Sequence, residues 1–574
     1  MSRRAGFANQ DVERPLLFSN GRNGSERPAY HVNNPQSVQK VRSLSYQDKF
    51  EALVNYDWRG DDHHFHVLGG ASYEQYLNDQ ISGTARNGVS NNFFSFNFYD
   101  NSLATNSVLS DLIQPWKMAS LFGRVNYDYA DRYLLEATVR YDGSSRLAPG
   151  NRWGVFPSIS GAWRISEEAF FESARDKVDN LKLRASWGQL GNSTVLRNDF
   201  YPYIGLVSSG THFGVPYYYQ DKMISSDITW ETVTSTNVGV DLGFLRNRLN
   251  VTADYYWKKN NDMLSQATMG NLNGYPQNKL PFENVGILKV WGWEISVDWR
   301  DQIGDVTYQV GLSIDDSKNE LVKYQGASSI SAGTIARLEG YPLRTIWGYQ
   351  TDGFWSSRQE YLDYKAANPG YESYDWDARL DGGDVRYVAQ GNPDHRIGVG
   401  GGTPDDPGDL IFLGNENPRY MYGFNLGLQW KDFDFSMFWQ GVAKRKYVVH
   451  NDIFYPVNYD RTPHSELIRL GYWTEETPDA YFAKLVEYQT YNYQVSDRWV
   501  QNGAYLRLKN VQLGYTIPVP ENILQSLRVY VMGNDVWEYT KAKFKALDPE
   551  VSNNKNRNYY PFFRTWTMGV SLTF

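Results

Sequence analysis

Strict alternation of side chains in the last segment of the chain is the feature that most constrains its fold. Large apolar residues occupy every second position from Trp566 to Phe574, and small or polar residues such as Thr567 and Ser571 lie between them. Successive side chains of an extended strand point to opposite faces, so this segment has one bulky apolar face and one small polar face. The pattern predicts a β-strand that ends at Phe574 and is shielded from water on one side only.

The same alternation recurs along the chain, and segment 121–142 indicates which environments the two faces occupy. Its apolar positions carry aromatic residues near both ends, and its polar positions carry charges of both signs, including Arg124, Glu136 and Arg140. Such charges suit a hydrated lumen better than a packed core, and aromatic residues favour the two interfaces of a membrane. Comparable alternation is found at 237–244, 249–258, 291–300 and 420–439.

The connections between the predicted strands alternate in length. Short ones fall near 58–61, 130–132, 166–180, 245–247, 301–305, 431–432 and 518–526. Longer ones fall near 77–116, 143–152, 188–232, 259–283, 319–417, 441–500 and 538–562. Short periplasmic turns and long external loops are typical of bacterial outer-membrane proteins, so we predict an all-β fold, an antiparallel transmembrane β-barrel. No apolar run reaches the roughly 18 residues that a transmembrane helix requires.

About 15 strands are predicted, the first of them near residue 46, with a long loop at 319–417. We expect residues 1–45 to be an extracellular loop or irregular start and residues 46–574 to be the C-terminal part of the barrel. An odd count makes the first and last strands both run towards the periplasm, so we expect further strands upstream. Plugged outer-membrane transporters have about 22 strands. The sequence contains no recognisable N-terminal plug.

Composition and charge exclude several functional classes. A net charge of −8 leaves no basic surplus for binding nucleic acid. The chain has no cysteine, which excludes disulfides and thiol chemistry. No Ser–His–Asp set or paired carboxylates stand out among the many polar positions, so we predict that the chain is not an enzyme.

Several segments, in order along the chain, resemble the SusC/RagA family of TonB-dependent transporters from Bacteroidetes. They are 132–146, 153–164, 181–192, 230–239, 340–343, 348–354 and 506–515. The resemblance implies a plugged barrel in the outer-membrane lipid, a SusD-like surface lipoprotein as a lid, and energy from the TonB complex through the plug. It implies active import of a large nutrient, with an oligosaccharide as the first expectation and an oligopeptide as the second.

Two other classes of function remain open at this point. A passive porin or surface adhesion barrel would lack a plug and a TonB-contacting segment. A soluble β-rich carbohydrate-binding protein would be extracted without detergent. In the barrel class, a terminal aromatic residue on the lipid face commonly marks the last strand for the assembly machinery, so Phe574 is predicted to be a barrel assembly signal.

An acidic, glycine-containing stretch in the longest loop is the candidate metal site. Relatives of this family carry a loop here that looks Ca²⁺-binding, which implies Asp381, Asp384 and Asp394 as candidate ligands. Ca²⁺ loops need several oxygen ligands at alternating positions. Pro393 and His395 depart from that pattern. We therefore expect a solvated loop and no cofactor, and we keep a Ca²⁺ site as the alternative.

Two further motifs favour structural interpretations. His64 and His66 share a strand face, but no third zinc ligand is evident beside them. The glycine-rich stretch 398–402 lacks the Lys-Ser/Thr ending of a phosphate-binding loop.

Aromatic residues in the predicted external loops are the candidate substrate-binding residues. Such rings can stack on sugar faces or hold peptide side chains while nearby polar groups supply hydrogen bonds. Packing of the loops against each other, or against a lid protein, explains the same rings and is the interpretation that we favour. The candidates are Phe94, Phe96, Tyr201, Tyr203, Tyr217, Tyr218 and Tyr219.

Overall fold

Sixteen strands in the part of the chain that the structure describes form one antiparallel sheet. The computed structural model describes residues 2–8, 18–20, 26–28, 37–86, 95–99, 107–193, 200–269, 274–325, 329–373, 379–390, 397–398, 400–449, 470–486, 491–520, 524–543, 548–550 and 563–574. The strands of the sheet are β1 (Ser2–Ala8), β2 (Ser37–Arg59), β3 (His63–Arg86), β4 (Ser107–Tyr129), β5 (Tyr133–Ser144), β6 (Trp153–Arg164), β7 (Val178–Asn192), β8 (Glu231–Phe244), β9 (Leu249–Gln266), β10 (Phe282–Ile303), β11 (Val306–Lys323), β12 (Arg419–Trp430), β13 (Phe433–Lys444), β14 (Tyr505–Ile517), β15 (Ser526–Thr540) and β16 (Thr565–Thr573). Each strand pairs with the next along the chain, as in an up-and-down barrel.

The start of the sheet differs from the sequence prediction. β2 begins at Ser37 rather than near residue 46, and β1 pairs with it from Ser2 opposite Ser45 to Ala8 opposite Gln39. Residues 1–45 therefore include strand structure, and the sheet has one strand more than the predicted count. The extracellular position of this segment stays a prediction. Residues 37–45 were missed because polar side chains occupy both faces there, so no apolar alternation is visible.

Tight turns join the strands at one end of the sheet, which we call the short-turn end. Gly304 and Asp305 connect β10 to β11, and Lys431 and Asp432 connect β12 to β13. Gly304 and Lys431 have φ of 58° and 51°. Two-residue hairpins need positive φ to match the twist of the strands, and glycine adopts it without steric strain. The opposite end carries the longer connections and is called the long-loop end.

The two faces of the sheet differ as the alternation predicts. On one face, called the apolar face, large side chains such as Leu121, Tyr141 and Val155 are about half exposed. The other face, called the polar face, carries the charged and small residues. An apolar face that stays uncovered across many strands has no protein layer against it, as expected for a barrel wall in lipid. Among the residues that the structure describes, no helix has the length and apolar character to span a membrane.

The described parts of connections 324–418, 445–504 and 541–564 fold together at the long-loop end, and we call them the cap. One small sheet contains Gly333–Ile335, Thr345–Tyr349 and Leu410–Asn415. Two strand pairs join Thr351–Phe354 to Val385–Tyr387 and Lys446–Val448 to Val500–Asn502. Helix α1 (Arg358–Ala367) begins at Ser357, whose side chain accepts a hydrogen bond from the Glu360 amide. The 3₁₀ turn Tyr491–Tyr493 is also part of the cap.

Shorter elements lie outside the sixteen-stranded sheet, which we call the wall, and outside the cap. Two hairpins are formed by Phe18–Asn20 with Glu26–Pro28 and by Val207–His212 with Val215–Gln220. Single 3₁₀ turns are found at Phe96–Phe98, Pro149–Asn151, Ile165–Glu167, Ala169–Ala174 and Gln277–Lys279.

Among the described residues, the largest buried apolar cluster lies in the cap and not in the sheet. Trp355 is fully buried and its ring meets that of Tyr361 edge-on at 5.3 Å between centroids. The Tyr387 hydroxyl donates to the Tyr491 carbonyl at 2.6 Å, and the Tyr491 hydroxyl donates to the Val385 carbonyl at 2.8 Å. Burial with satisfied hydroxyl groups makes the cap a packed unit rather than a set of independent loops.

Candidate substrate-binding site

An arginine bridges two carboxylates on the polar face of three neighbouring strands. Arg184 of β7 donates to Asp241 of β8 from Nε and Nη2, both at 2.9 Å. It also reaches Asp254 of β9, from Nη2 at 2.9 Å. Gly239 lies between Arg184 and Asp254 in the strand register, and a Cβ there would be 2.4 Å from Asp254 Oδ1. The missing side chain of Gly239 therefore makes room for this ion-pair network.

A second network of this type joins β13 and β15 across β14. Arg528 Nε donates to Asp434 Oδ1 at 2.8 Å. Gly514 lies opposite Asp434, and a Cβ on it would approach both partners. Arginine and aspartate thus meet across a glycine in both places, and the charges of the polar face are paired rather than isolated.

Two adjoining cavities open on the polar face between β3 and β8. One, of about 530 Å³, is lined by residues that include Asp128, Lys182 and Arg184. The other, also about 530 Å³, extends to Arg140 and Asp142. Both share the side chains Glu136, Ser160 and Ser186. Their lining offers hydrogen-bond donors and acceptors, and side chains of both positive and negative charge, to a polar solute.

The three histidines of β3 engage neighbouring strands. His66 Nδ1 lies 2.8 Å from Asp57 Oδ1, and His64 Nε2 lies 3.7 Å from the same oxygen. His63 Nδ1 lies 2.9 Å from the Tyr127 hydroxyl. Within the described ranges, no group of three or more His, Cys, Asp or Glu side chains is arranged to hold a metal ion.

The cap contains a polar cavity of about 510 Å³ that sequence reasoning missed. Arg498 Nη1 donates to the Tyr481 carbonyl at 2.8 Å, and Lys543 Nζ lies 4.5 Å from the Tyr481 ring centroid. Burial raises the pKa of Tyr481 to about 12. Burial and the nearby Arg498 guanidinium lower the pKa of Lys543. Asp497 faces the same cavity and accepts from the Thr351 amide and hydroxyl.

No local pattern could have found this cap cavity, because its residues come from three separate connections. Thr351, Tyr481 and Lys543 are more than 60 residues apart from one another in sequence. The cavity exists only because those connections pack together.

Some predicted aromatic residues serve in packing. Phe96 is half-buried beside Val38 and Ala85, with Lys40 Nζ 5.1 Å from its ring centroid. Phe94 lies outside the described residues. These positions agree with the packing interpretation for Phe96, and ligand contact by either ring stays a prediction.

Tyr201 and Tyr203 lie side by side after β7, with ring centroids 6.0 Å apart and the rings perpendicular. The Tyr203 hydroxyl donates to the Ser145 carbonyl at 3.1 Å and accepts from Arg152 Nη2 at 3.3 Å. These bonds tie the segment after β7 to the β5–β6 connection.

The predicted residues Tyr217, Tyr218 and Tyr219 lie on the exposed hairpin 207–220. Tyr217 and Tyr219 stack on one side with centroids 5.4 Å apart. Tyr218 is 77% exposed, and Phe213 at the turn is 94% exposed. Of the predicted aromatic residues that the structure describes, these three present the most accessible rings.

The two predicted metal ligands that the structure describes bind protein groups, a lysine and a side-chain amide for Asp384 and backbone amides for Asp381. The Asp384 carboxylate is fully buried, 2.8 Å from Lys484 Nζ, and accepts from Asn492 Nδ2 at 2.9 Å. Asp381 Oδ1 accepts from the Arg358 and Gly382 amides. Asp394 lies outside the described residues. Lys484 already neutralises Asp384, so a Ca²⁺ ion here would have to compete with it, and the Ca²⁺ site stays a prediction.

Comparison with known proteins places the chain in a family. The family model "TonB dependent receptor-like, beta-barrel" matches residues 3–396, more than half of the chain. The chain belongs to this family. It is 26% identical to TonB-dependent receptor P26 of Formosa agariphila, across 99% of this chain and 56% of that protein. It is also 26% identical to TonB-dependent receptor SusC of Bacteroides thetaiotaomicron, across 98% of this chain and 52% of that protein.

Solved structures of the same fold support the barrel. The RagAB peptide transporter superposes with a TM-score of 0.75 at 22% identity, covering 95% of this chain and 57% of that one. The predicted resemblance and the antiparallel barrel are therefore confirmed. The chain spans about half the length of the curated relatives that it matches.

Membership of this family of TonB-dependent receptor barrels places the chain in the outer membrane. The apolar face is then the lipid-facing side, and the polar face lines the lumen. Long loops face the outside of the cell in such barrels, so the cap and hairpin 207–220 lie on the extracellular side.

Proposed function

We propose that the chain forms the wall and cap of an active importer that carries a large nutrient, an oligosaccharide first, through the outer membrane. The observation that carries this proposal is the pair of adjoining polar cavities on the lumen side, about 530 Å³ each. Sugars present many hydroxyl groups, and side chains such as Ser160, Ser186 and Glu136 can replace the water bound to those groups.

An oligopeptide is the second candidate cargo. The cap cavity supports it, because Arg498 and Lys543 face it together with Asp497 and Asp479. Charges of both signs in one cavity can pair with the two charged termini of a peptide. Transport of peptides is named for the RagAB structure, which shares the fold.

Two partners accompany this function. A SusD-like surface lipoprotein would cover the long-loop end, where hairpin 207–220 projects Phe213 and Tyr218. Exposed aromatic residues of this kind are enriched in protein interfaces. The TonB complex would supply energy through a plug segment elsewhere in the transporter. A passive porin or an adhesion barrel is the alternative, and a porin predicts uptake that does not need TonB.

The test is uptake of labelled oligosaccharides and oligopeptides by cells that produce the complete transporter. Loss of uptake when TonB is deleted supports active import, whereas unchanged uptake supports a passive channel. In the variant Tyr217→Ala/Tyr218→Ala/Tyr219→Ala we expect oligosaccharide uptake to fall severalfold. The control Tyr56→Ala/Tyr539→Ala removes exposed tyrosines from the apolar face and should leave uptake unchanged. If only peptides enter, the oligosaccharide proposal is wrong.

A further inference from the structure

Two adjacent strands, β9 and β10, carry an aromatic band on the apolar face near the long-loop end. The strand register places Trp257 of β9 opposite Trp291 of β10, and Trp291 opposite Lys318 of β11. One level closer to the membrane centre, Tyr255 lies opposite Trp293. Tryptophan and tyrosine collect at the headgroup level of a bilayer, so this band marks the outer interface of the membrane.

Lysines lie beside this band and directly above it. Lys259 follows Trp257 by two residues and lies opposite Lys289 of β10. Both lysines are exposed, as is Lys318. Two residues of a strand span about 7 Å. The ammonium groups of Lys259 and Lys289 therefore lie above the rings, at the level of the lipid phosphates.

The register sets two like charges side by side. Lys259 and Lys289 occupy directly opposed positions, an arrangement that destabilises a sheet unless an anion lies between the side chains. Within the described part of the chain, Lys259, Lys289 and Lys318 form no ion pair with a carboxylate. Glu320 lies opposite Lys289 and is the one acid at that level of β11.

Arg419 extends this basic surface onto β12. Its guanidinium binds the Asp316 carboxylate, which lies opposite Trp293 on the apolar face. A cavity of about 600 Å³ opens here between the wall and the cap, and its lining includes Trp291, Lys318, Lys444 and Lys446. The cavity therefore combines apolar surface with several cationic groups at the extracellular rim of the wall.

The local charge is opposite to that of the whole chain. Lys259, Lys289 and Lys318 outnumber Glu320, and Arg419 is balanced by Asp316, although the chain as a whole carries −8. We propose that the apolar face of β9–β12 at the long-loop end binds the phosphate groups of a phosphorylated glycolipid of the outer leaflet. The lysines bind phosphate, the tryptophans contact the glycolipid at the interface, and the acyl chains lie along the wall below them.

The experiment measures the glycolipid that the complete transporter retains after purification in mild detergent. Native mass spectrometry compares the wild type with Lys259→Gln/Lys289→Gln/Lys318→Gln. The control Lys177→Gln/Lys258→Gln/Lys431→Gln removes the same charge from the short-turn end and the polar face. We expect retained phosphorylated glycolipid to fall by at least about tenfold in the first variant and to be unchanged in the second. Heat-modifiable migration in gels verifies that each barrel is folded.

Two further arms identify the bound group. Delipidated transporter is mixed with lipid A or with enzymatically dephosphorylated lipid A, and only the phosphorylated form should bind the wild type. Millimolar inorganic phosphate should fail to displace it, because the acyl chains contribute to binding. Equal retention by both lysine variants, equal binding of dephosphorylated lipid, or displacement by free phosphate would each overturn the proposal.

Discussion

Arg184 reaches Asp254 two strands away, passing over Gly239 on the strand between them. We predict that Gly239→Ala destabilises the wall by about 1–3 kcal/mol, because the added methyl group must displace Asp254 or Arg184. Gly427→Ala on the polar face of β12 is the matched control, since a Cβ there meets no atom within 4 Å. Unfolding in denaturant, followed by heat-modifiable gel migration, measures both. Equal stability of the two variants would contradict the close packing at Gly239.

The segment after β15 is held by a buried arginine. Arg507 is 1% exposed and donates to Asp548 and Glu550 at 2.6 Å, and it also binds Glu538. Arg507→Met leaves Asp548 and Glu538 without this partner, while Glu550 keeps Lys509, whose Nζ lies 3.3 Å from Glu550 Oε1. We expect a cost of about 3–5 kcal/mol. We expect much faster proteolysis of the segment near 548–550 while the wall stays folded. The double exchange Asp548→Asn/Glu550→Gln in the Arg507→Met background should restore part of the protection, and failure to do so would argue against charge as the cause.

The buried ring of Trp355 holds the cap together independently of the wall. Trp355→Ala removes a fully buried ring, and such truncations cost about 3–5 kcal/mol. Hydrogen exchange should rise throughout the cap, including at Tyr491, which is more than 130 residues away in sequence. Exposed Tyr364 touches Trp355 from outside, so Tyr364→Phe should change exchange little. An increase confined to the neighbours of residue 355 would show that the cap is not one unit.

A carboxylate at the short-turn end gives the wall a pH dependence. Glu168 Oε1 accepts from the Tyr133 hydroxyl at 2.6 Å and from Trp163 Nε1 at 3.0 Å. The hydrogen bond from Tyr133, then that from Trp163, lowers the pKa of Glu168 below its ordinary value of 4.5. Its stabilisation is therefore present above pH 4.5 and is lost as the pH falls through the lowered pKa. Thermal unfolding between pH 3 and 7 should show this loss, and Glu168→Gln should remove that part of the acid sensitivity. An unchanged pH profile in the variant would contradict it.

Phe574 directly follows β16 and is 83% exposed. We predict that deleting it lowers the amount of transporter in the outer membrane severalfold, because the assembly machinery would lose its terminal aromatic signal. Immunoblots of outer-membrane fractions measure this. Phe574→Trp keeps an aromatic ring and should be assembled normally. Normal levels of the deletion variant would rule out an assembly role for Phe574.

Much of the wall was predictable because alternation is a local property of each strand. The segment from Trp566 to Phe574 reveals its two faces without knowledge of its partner. The Arg184–Asp254 contact could not be predicted in this way, since it depends on the register of three strands. The acidic, glycine-containing stretch suggested a cation ligand but gave no sign of the ion pair that the structure shows for Asp384. Its actual partner, Lys484, lies 100 residues further along the chain.

The cap buries its apolar side chains within itself, whereas the wall exposes its apolar side chains on one face. The stability of the two parts therefore depends on different surroundings, water for the cap and lipid for the wall. The cap excludes water from its own interior, around Trp355 and Tyr491, as a water-soluble protein does. The wall lacks such an interior on its apolar face and relies on lipid or detergent to cover it. Urea acts mainly through the aqueous phase, so it should loosen the cap at concentrations that leave the wall intact. Shortening the detergent chain should weaken the wall while the cap is still folded.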